Sequence, residues 1–269
     1  MIQKHYFNTI WLIVLLAVSS CEKQTTWEVQ ASGTFPVIDC IITNELKYQE
    51  LRLYQSADRL NTLPAGISGA FIELSNGVDT MAFQEDAWES GKYVSTLPFR
   101  AAAGNNYRLT ILYGSISDTA NAEMTSVTPL DAVEIVPYDS LFRYVFNAGN
   151  QASMTEVLYD WSGVVDYCAI YGSCYASEVF YTLDNIDMSK IFAPDKLVIS
   201  FPEGTRIIRR KYSLSENHQR FIRSLLLETE WRGGVFDVEQ GNVPTNFRHG
   251  VRGWFAACMV LSDTTWYGK

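Results

Sequence analysis

The chain has 269 residues, 47% of them apolar and 19% charged, with 21 basic residues against 30 acidic ones. That is the composition of a folded globular protein and excludes a disordered one. A formal net charge of −9 leaves no basic footprint for nucleic acid, so nucleic-acid partners are excluded as well. Residues 1–20 read as an export signal, with Lys4 as the positive start, Ile10 to Val18 as the apolar centre and Ala17-Val18-Ser19-Ser20 as small residues before a cut. The apolar run falls short of the ~20 residues that span a bilayer, so a transmembrane helix is not expected.

Cys21 follows that run directly. A cysteine at the cleavage point resembles the lipobox of bacterial lipoproteins, which implies that Cys21 becomes the first mature residue and carries acyl chains. One chain holds a protein to a membrane weakly, whereas two or more anchor it stably. The alternative is a plain secretory signal with a chance cysteine. Removing residues 1–20 deletes Lys4 and no acid, so the mature charge falls from −9 to −10. Residues 21–34 are a tether. Its one acid directly after the cysteine is Glu22, which leaves open the face of the membrane on which the protein sits.

Short β-rich runs begin at Phe35. FPVIDCIIT (35–43) is nearly continuous in apolar residues, and LKYQELRLYQS alternates Leu51, Leu53 and tyrosines with polar groups. GAFIELSNG ends at Asn76-Gly77, a hairpin signal, and DTMAFQE can pair back across it. Gly91-Lys92-Tyr93-Val94 begins another strand. In YRLTILYG, Tyr107, Leu109, Ile111 and Tyr113 share one face with period two. SISDTANAEM completes about seven strands, which predict a β-sandwich over 35–127.

Thr128-Pro129-Leu130-Asp131 marks the boundary to a second β-rich region, 128–269. It holds AVEIVPYDSLFRYVF, VLYDWSGVVDYCAIYGSCYASEVFYTL, KLVISF and TRIIRRKYSL as strands. One helix is predicted near 214–230: Ser213-Leu214-Ser215-Glu216 fits a capping box, Phe221, Ile222, Leu225 and Leu226 have helical spacing, and Gly233-Gly234 is a stop. The final run places Trp254, Ala256, Cys258 and Val260 on one side of a strand. The predicted fold class is mainly β, an immunoglobulin-like sandwich followed by a β-rich region with one α-helix.

The order of these pieces resembles a Bacteroidetes-type outer-membrane lipoprotein family of unknown function, whose members are often encoded beside TonB-dependent receptors. The likeness runs over the mature chain, and its most specific piece is Asn242-Val243-Pro244-Thr245-Asn246 followed by Gly250 to Phe255. It implies an outer-membrane, lipid-anchored location and a transporter as neighbour, with no catalytic residues. The stretch GKY…AAGNNYRLT also resembles the sandwich appended to carboxypeptidases (a carboxypeptidase-regulatory-like domain) and to the N-termini of TonB-dependent receptors.

Candidate site residues are few. His218 and His249 are the histidines of the mature chain, so a histidine-based triad or a metal site has little material. His218 is expected on the surface of the helix, and His249, in the loop NFRHGVRG, is a candidate contact residue. Cys40, Cys168, Cys174 and Cys258 allow three pairings. Cys168 and Cys174, six apart, could form a local disulfide or remain buried thiols. Arg206, Arg209, Arg210 and Lys211 read as an edge strand guarded by charge, or as a patch in which Arg209 and Arg210 meet an acidic partner. Trp88, in the polar loop QEDAWESGK, is the best candidate for an exposed ring that stacks on sugar; Trp161 and Trp254 are further candidates, with Trp254 expected in the core. Asp160 and Asp166 could serve a glycosidase, and Asp184-Asn185-Ile186-Asp187 is a turn that lacks the ligand set of a calcium loop. No metal or cofactor is expected. The chain is therefore expected to be a non-enzymatic accessory or binding lipoprotein beside a TonB-dependent transporter, with membrane, receptor, and glycan or other nutrient as partners. A glycan-binding surface protein without a fixed transporter is the alternative, and a carboxylate hydrolase is third.

Overall fold

The computed structural model describes residues 33–57, 62–184, 198–230 and 243–268. Residues 34–269 form one compact unit, apart from residues 1–33. Seven strands occupy the first half: β1 (Pro36–Thr43), β2 (Glu50–Gln55), β3 (Phe71–Ser75), β4 (Thr80–Glu85), β5 (Lys92–Ser95), β6 (Asn106–Tyr113) and β7 (Ile116–Glu123). The second half contributes β8 (Glu134–Tyr138), β9 (Leu141–Val145), β10 (Ser153–Asp160), α1 (Val165–Tyr171), β11 (Tyr175–Thr182), β12 (Arg206–Ser213), α2 (Glu216–Thr229), β13 (Arg252–Cys258) and β14 (Val260–Trp266).

Alternation drives the first sheet. In β6, Tyr107, Leu109 and Ile111 turn inward and are buried, while Arg108 faces water. Ile38, Cys40 and Ile42 do the same in β1, and Ile72 and Leu74 in β3. Each such large side chain, removed from water, contributes roughly 1.5–3 kcal/mol. Asn76 closes the β3–β4 hairpin, its side-chain oxygen accepting the N–H groups of Val78 and Asp79, while Gly77 takes a positive φ of 90°.

The sheet runs β13-β1-β2-β5-β4-β3-β6-β7, and it wraps a single apolar core until its end strands meet. Thr125, just past β7, bridges Cys258 at the end of β13. The mainly-β architecture is thus as the strand signals predict, with an eighth strand supplied from the far end of the chain. That strand crosses the division at 127/128: β13 lies parallel to β1, from Val37–Arg252 to Thr43–Cys258. At Gly253 the two backbones approach so closely that a Cβ would lie 2.0 Å from the Ile38 carbonyl oxygen, and φ is +87°. Only glycine accommodates both demands.

After Met259 the same run continues as β14 into a second, antiparallel sheet of order β11-β10-β12-β14. Met259 is the crossing point. Its carbonyl accepts from the Ser213 N–H, and its own N–H donates to the Ser213 hydroxyl. The β8–β9 hairpin joins this region through the Phe142–Phe201 bridge.

Three expectations are corrected here. Val165–Tyr171 is a short helix, not strand, ended by Gly172 in the left-handed conformation. The cap of α2 is Ser215, whose hydroxyl accepts from the His218 N–H; Ser213 is a buried β12 residue. And β12, carrying the basic cluster, is an interior strand between β10 and β14, so charge does not guard an edge there.

Candidate functional site

A groove of about 960 Å³ opens between α2 and the strands β7 and β13. Its size falls in the range of ligand-binding clefts. Asn217, Arg220 and Arg223 line it from the helix, Thr125 from just past β7, and Trp254 from β13. The helix is held there by Ile222, Leu226 and Leu227, which point away from water. The Thr125 hydroxyl is buried and has no hydrogen-bond partner among the described residues, so a donor or acceptor on a bound molecule would satisfy it. The Trp254 ring is stacked on Phe221 with centroids 4.8 Å apart, which fixes its orientation in the wall.

Asn246 also lines the groove. Its amide donates to the carbonyls of Asn121 and Phe255 and accepts from the Phe255 N–H, clamping the 243–247 loop between β7 and β13. The buried Asp118 carboxylate fixes the next turn of that loop by accepting from the N–H groups of Arg248, His249 and Val251. Burial works against ionisation of Asp118, but these backbone donors outweigh it and hold the acid below the usual carboxylate range.

Behind the groove lies the described pairing nearest to a nucleophile and base: Cys258 Sγ sits 3.7 Å from His218 Nδ1. His218 is only 3% exposed, which corrects the expected surface position. Burial pushes its imidazole down to about 4 and the Cys258 thiol up to about 12. Both groups are neutral near pH 7, the opposite of the thiolate–imidazolium pair that makes a cysteine reactive. Cys40 is likewise free and buried.

The other candidate residues lie apart. Trp88 is 97% exposed, in a turn where the Asp86 carboxylate accepts the Trp88 and Glu89 N–H groups. His249 is exposed in the loop that Asp118 pins. Arg209 is only 3% exposed, paired through two nitrogens with Asp263 and bonded to the Tyr144 hydroxyl, so it is not a surface contact. Arg210 is half-buried and pairs with Glu45 at 2.5 Å. Trp161 is fully buried, its indole N–H donating to the Ser173 carbonyl, which removes it as a sugar platform. Trp254 is half-buried rather than core. Asp160 pairs with Arg206 and Ser162, and Asp166 is exposed. Despite burial, the Ser162 bonds and Arg206 hold Asp160 below the usual carboxylate range, which does not suit a general acid.

Cys168 and Cys174 are joined as a disulfide, with Cα atoms 4.5 Å apart, and tie α1 to the start of β11. Cys21, Asn185-Ile186-Asp187 and Gly233-Gly234 lie outside the described residues. Among the described residues, no group of three or more His, Cys, Asp or Glu side chains is placed to hold a metal, and no helix is long and apolar enough to cross a membrane.

The sequence reading met Asn246 only within the family likeness and gave it no role, and it missed Asp118. The signal for Asp118 was an acid at an inward position of a strand, two residues before the buried Ala120. For Asn246 there was no physical signal, because its three partners lie 9 and 125 residues away. No curated protein matches the chain. The profile of one family spans residues 22–264, covering both sheets, the groove and the clamped loop, and the chain belongs to that family, described as a domain of unknown function (DUF4249).

Proposed function

We propose that the protein is a non-enzymatic binding component, anchored to the outer membrane through acyl chains on Cys21, that captures a polar solute for a TonB-dependent transporter. The observation that carries the binding role is the groove under α2, with an orphan hydroxyl at Thr125, guanidinium and amide groups from the helix, and an oriented indole at Trp254. A sugar or other polyol suits that lining, because its hydroxyls can meet the polar groups and its C–H face can stack on the ring. The signal segment and Cys21 support the anchor, and the family resemblance supports the transporter.

Affinity electrophoresis of the full chain against a panel of polysaccharides tests the groove. Retardation on at least one, lost in Trp254→Ala, is the expected result. No retardation on any would remove the sugar reading. Pull-down from detergent-solubilised outer membranes tests the transporter, and a β-barrel receptor is expected in the eluate. Retardation on a polysaccharide without such a receptor would favour a surface glycan-binding protein that works alone.

A further inference from the structure

Strand directions place one set of loops at a single end of the first sheet. The chain enters β1 at Pro36, and Val37 pairs with Arg252 at the start of β13. β2 ends beside them, with Pro36 opposite Gln55. The turn 86–91 meets the same end, since Gly91 bonds Leu53 and the Ser90 hydroxyl lies 2.8 Å from that of Ser68. The β6–β7 turn and the 248–252 loop complete it, joined through Asp118. The second sheet attaches at the other end, where Thr43 pairs with Cys258 and the chain crosses to β14.

The loop end displays apolar side chains that fold stability does not need in water. Trp88 is 97% exposed and Leu63 96%, and Phe35 projects beside the point where the chain enters. Tryptophan favours the boundary between water and lipid, where its ring is apolar and its N–H stays hydrated. Formal charge at this end nearly balances, with Arg52, Lys92, Arg248 and Arg252 against Glu85, Asp86, Glu89 and Asp118, although the whole chain is at −9. The local balance removes the repulsion that the rest of the surface would feel from anionic lipid. Thirteen residues lie between Cys21 and Phe35, a contour of at most about 50 Å, so an acylated Cys21 tethers the folded unit from the end at which Phe35 enters.

We propose that the loop end is a membrane-docking face, with Trp88 and Leu63 seated among the lipid headgroups and the second sheet projecting away from the bilayer. This rests on the acylation of Cys21 proposed above. The face supplies a second membrane contact beyond the acyl chains, and it orients the groove.

The test uses the full, processed protein reconstituted into phosphatidylethanolamine–phosphatidylglycerol vesicles with brominated acyl chains, which quench nearby tryptophans. A Trp27→Phe background removes the tether's own ring. Quenching is expected there, lost on adding Trp88→Phe and retained on adding Trp266→Phe, which alters the far sheet instead. Acylated protein whose quenching does not depend on Trp88, or depends on Trp266, overturns the docking face and leaves the anchor intact. The mass of the mature N-terminus is read in parallel, and an unmodified Cys21 overturns the anchor together with the face built on it.

Discussion

The two sheets solve the problem of burial in different ways. The first wraps an apolar core whose inward positions are Ile, Leu, Val and aromatic residues, and its one inward acid among the described residues, Asp118, is spent on backbone N–H groups. The second buries charge on its own strands. Arg209 and Lys211 lie on the inward face of β12 with Ile207. Arg209 is met by Asp263 and Tyr144, and Lys211 donates to Thr128 and Pro129 of the connecting segment. Rings and a disulfide complete it: Trp161 packs edge-on to Tyr167 and Tyr171 beside the Cys168–Cys174 bond. The first sheet is specified by pattern, whereas the second depends on individual partners far apart in sequence.

The largest effect should come from breaking the seam that the first sheet shares with the second. Gly253→Ala forces a side chain onto the Ile38 carbonyl at a left-handed φ, and about 4 kcal/mol of stability should be lost. Urea unfolding should show both sheets weakened together; an unchanged midpoint would mean that β13 does not hold β1.

Next is the buried histidine behind the seam. His218 has its value lowered below the ordinary range near 6.5, so the unfolded chain takes up the proton first as pH falls. Its contribution is fully present above the unfolded value and is lost between about pH 6.5 and 4, amounting to about 3 kcal/mol. Thermal unfolding across that window should show the slope, and His218→Phe should flatten it. Asp118, held low, adds a further loss only as pH falls through and below the usual carboxylate range near 4.

The charged interior of the second sheet gives a smaller, more discriminating test. Asp263→Ala leaves Arg209 buried without its carboxylate and should cost about 2 kcal/mol, allowing for the partial exposure of Asp263. The double change Arg209→Met with Asp263→Leu should return to within about 1 kcal/mol of the parent, because the pair itself is worth little once both charges are gone. If single and double variants lose equally, the pair is not what the second sheet depends on. Last, removing the Cys168–Cys174 bond with two serines should cost about 2 kcal/mol, as expected for a short loop. Hydrogen exchange should rise around α1 and β11 and stay unchanged in the first sheet.

The same contrast explains what the sequence disclosed. Tyr107, Leu109 and Ile111 announce their inward face by alternation, and Asn76-Gly77 announces a turn, because those signals are local. The helix at Glu216–Thr229 was equally legible from its apolar spacing. The short helix was not: VDYCAIY is built of residues that favour strands, and seven residues carry too little periodicity to overrule them. Arg209 read as surface because its partner Asp263 lies 54 positions away, and His218 because the strand that covers it lies 40 away. Of the groove, Trp254 alone was a candidate for binding, and its apolar neighbours in the sequence argued for the core; Asn246 stood out only within the family likeness and Ser215 only as part of a helix cap.

The run from Arg252 to Trp266 supplies an outer strand to each sheet. Until the ribosome has released it, β1 lacks its parallel neighbour and β12 lacks β14. Assembly of the two sheets is therefore coupled, because neither acquires its full set of strands until this one run has emerged.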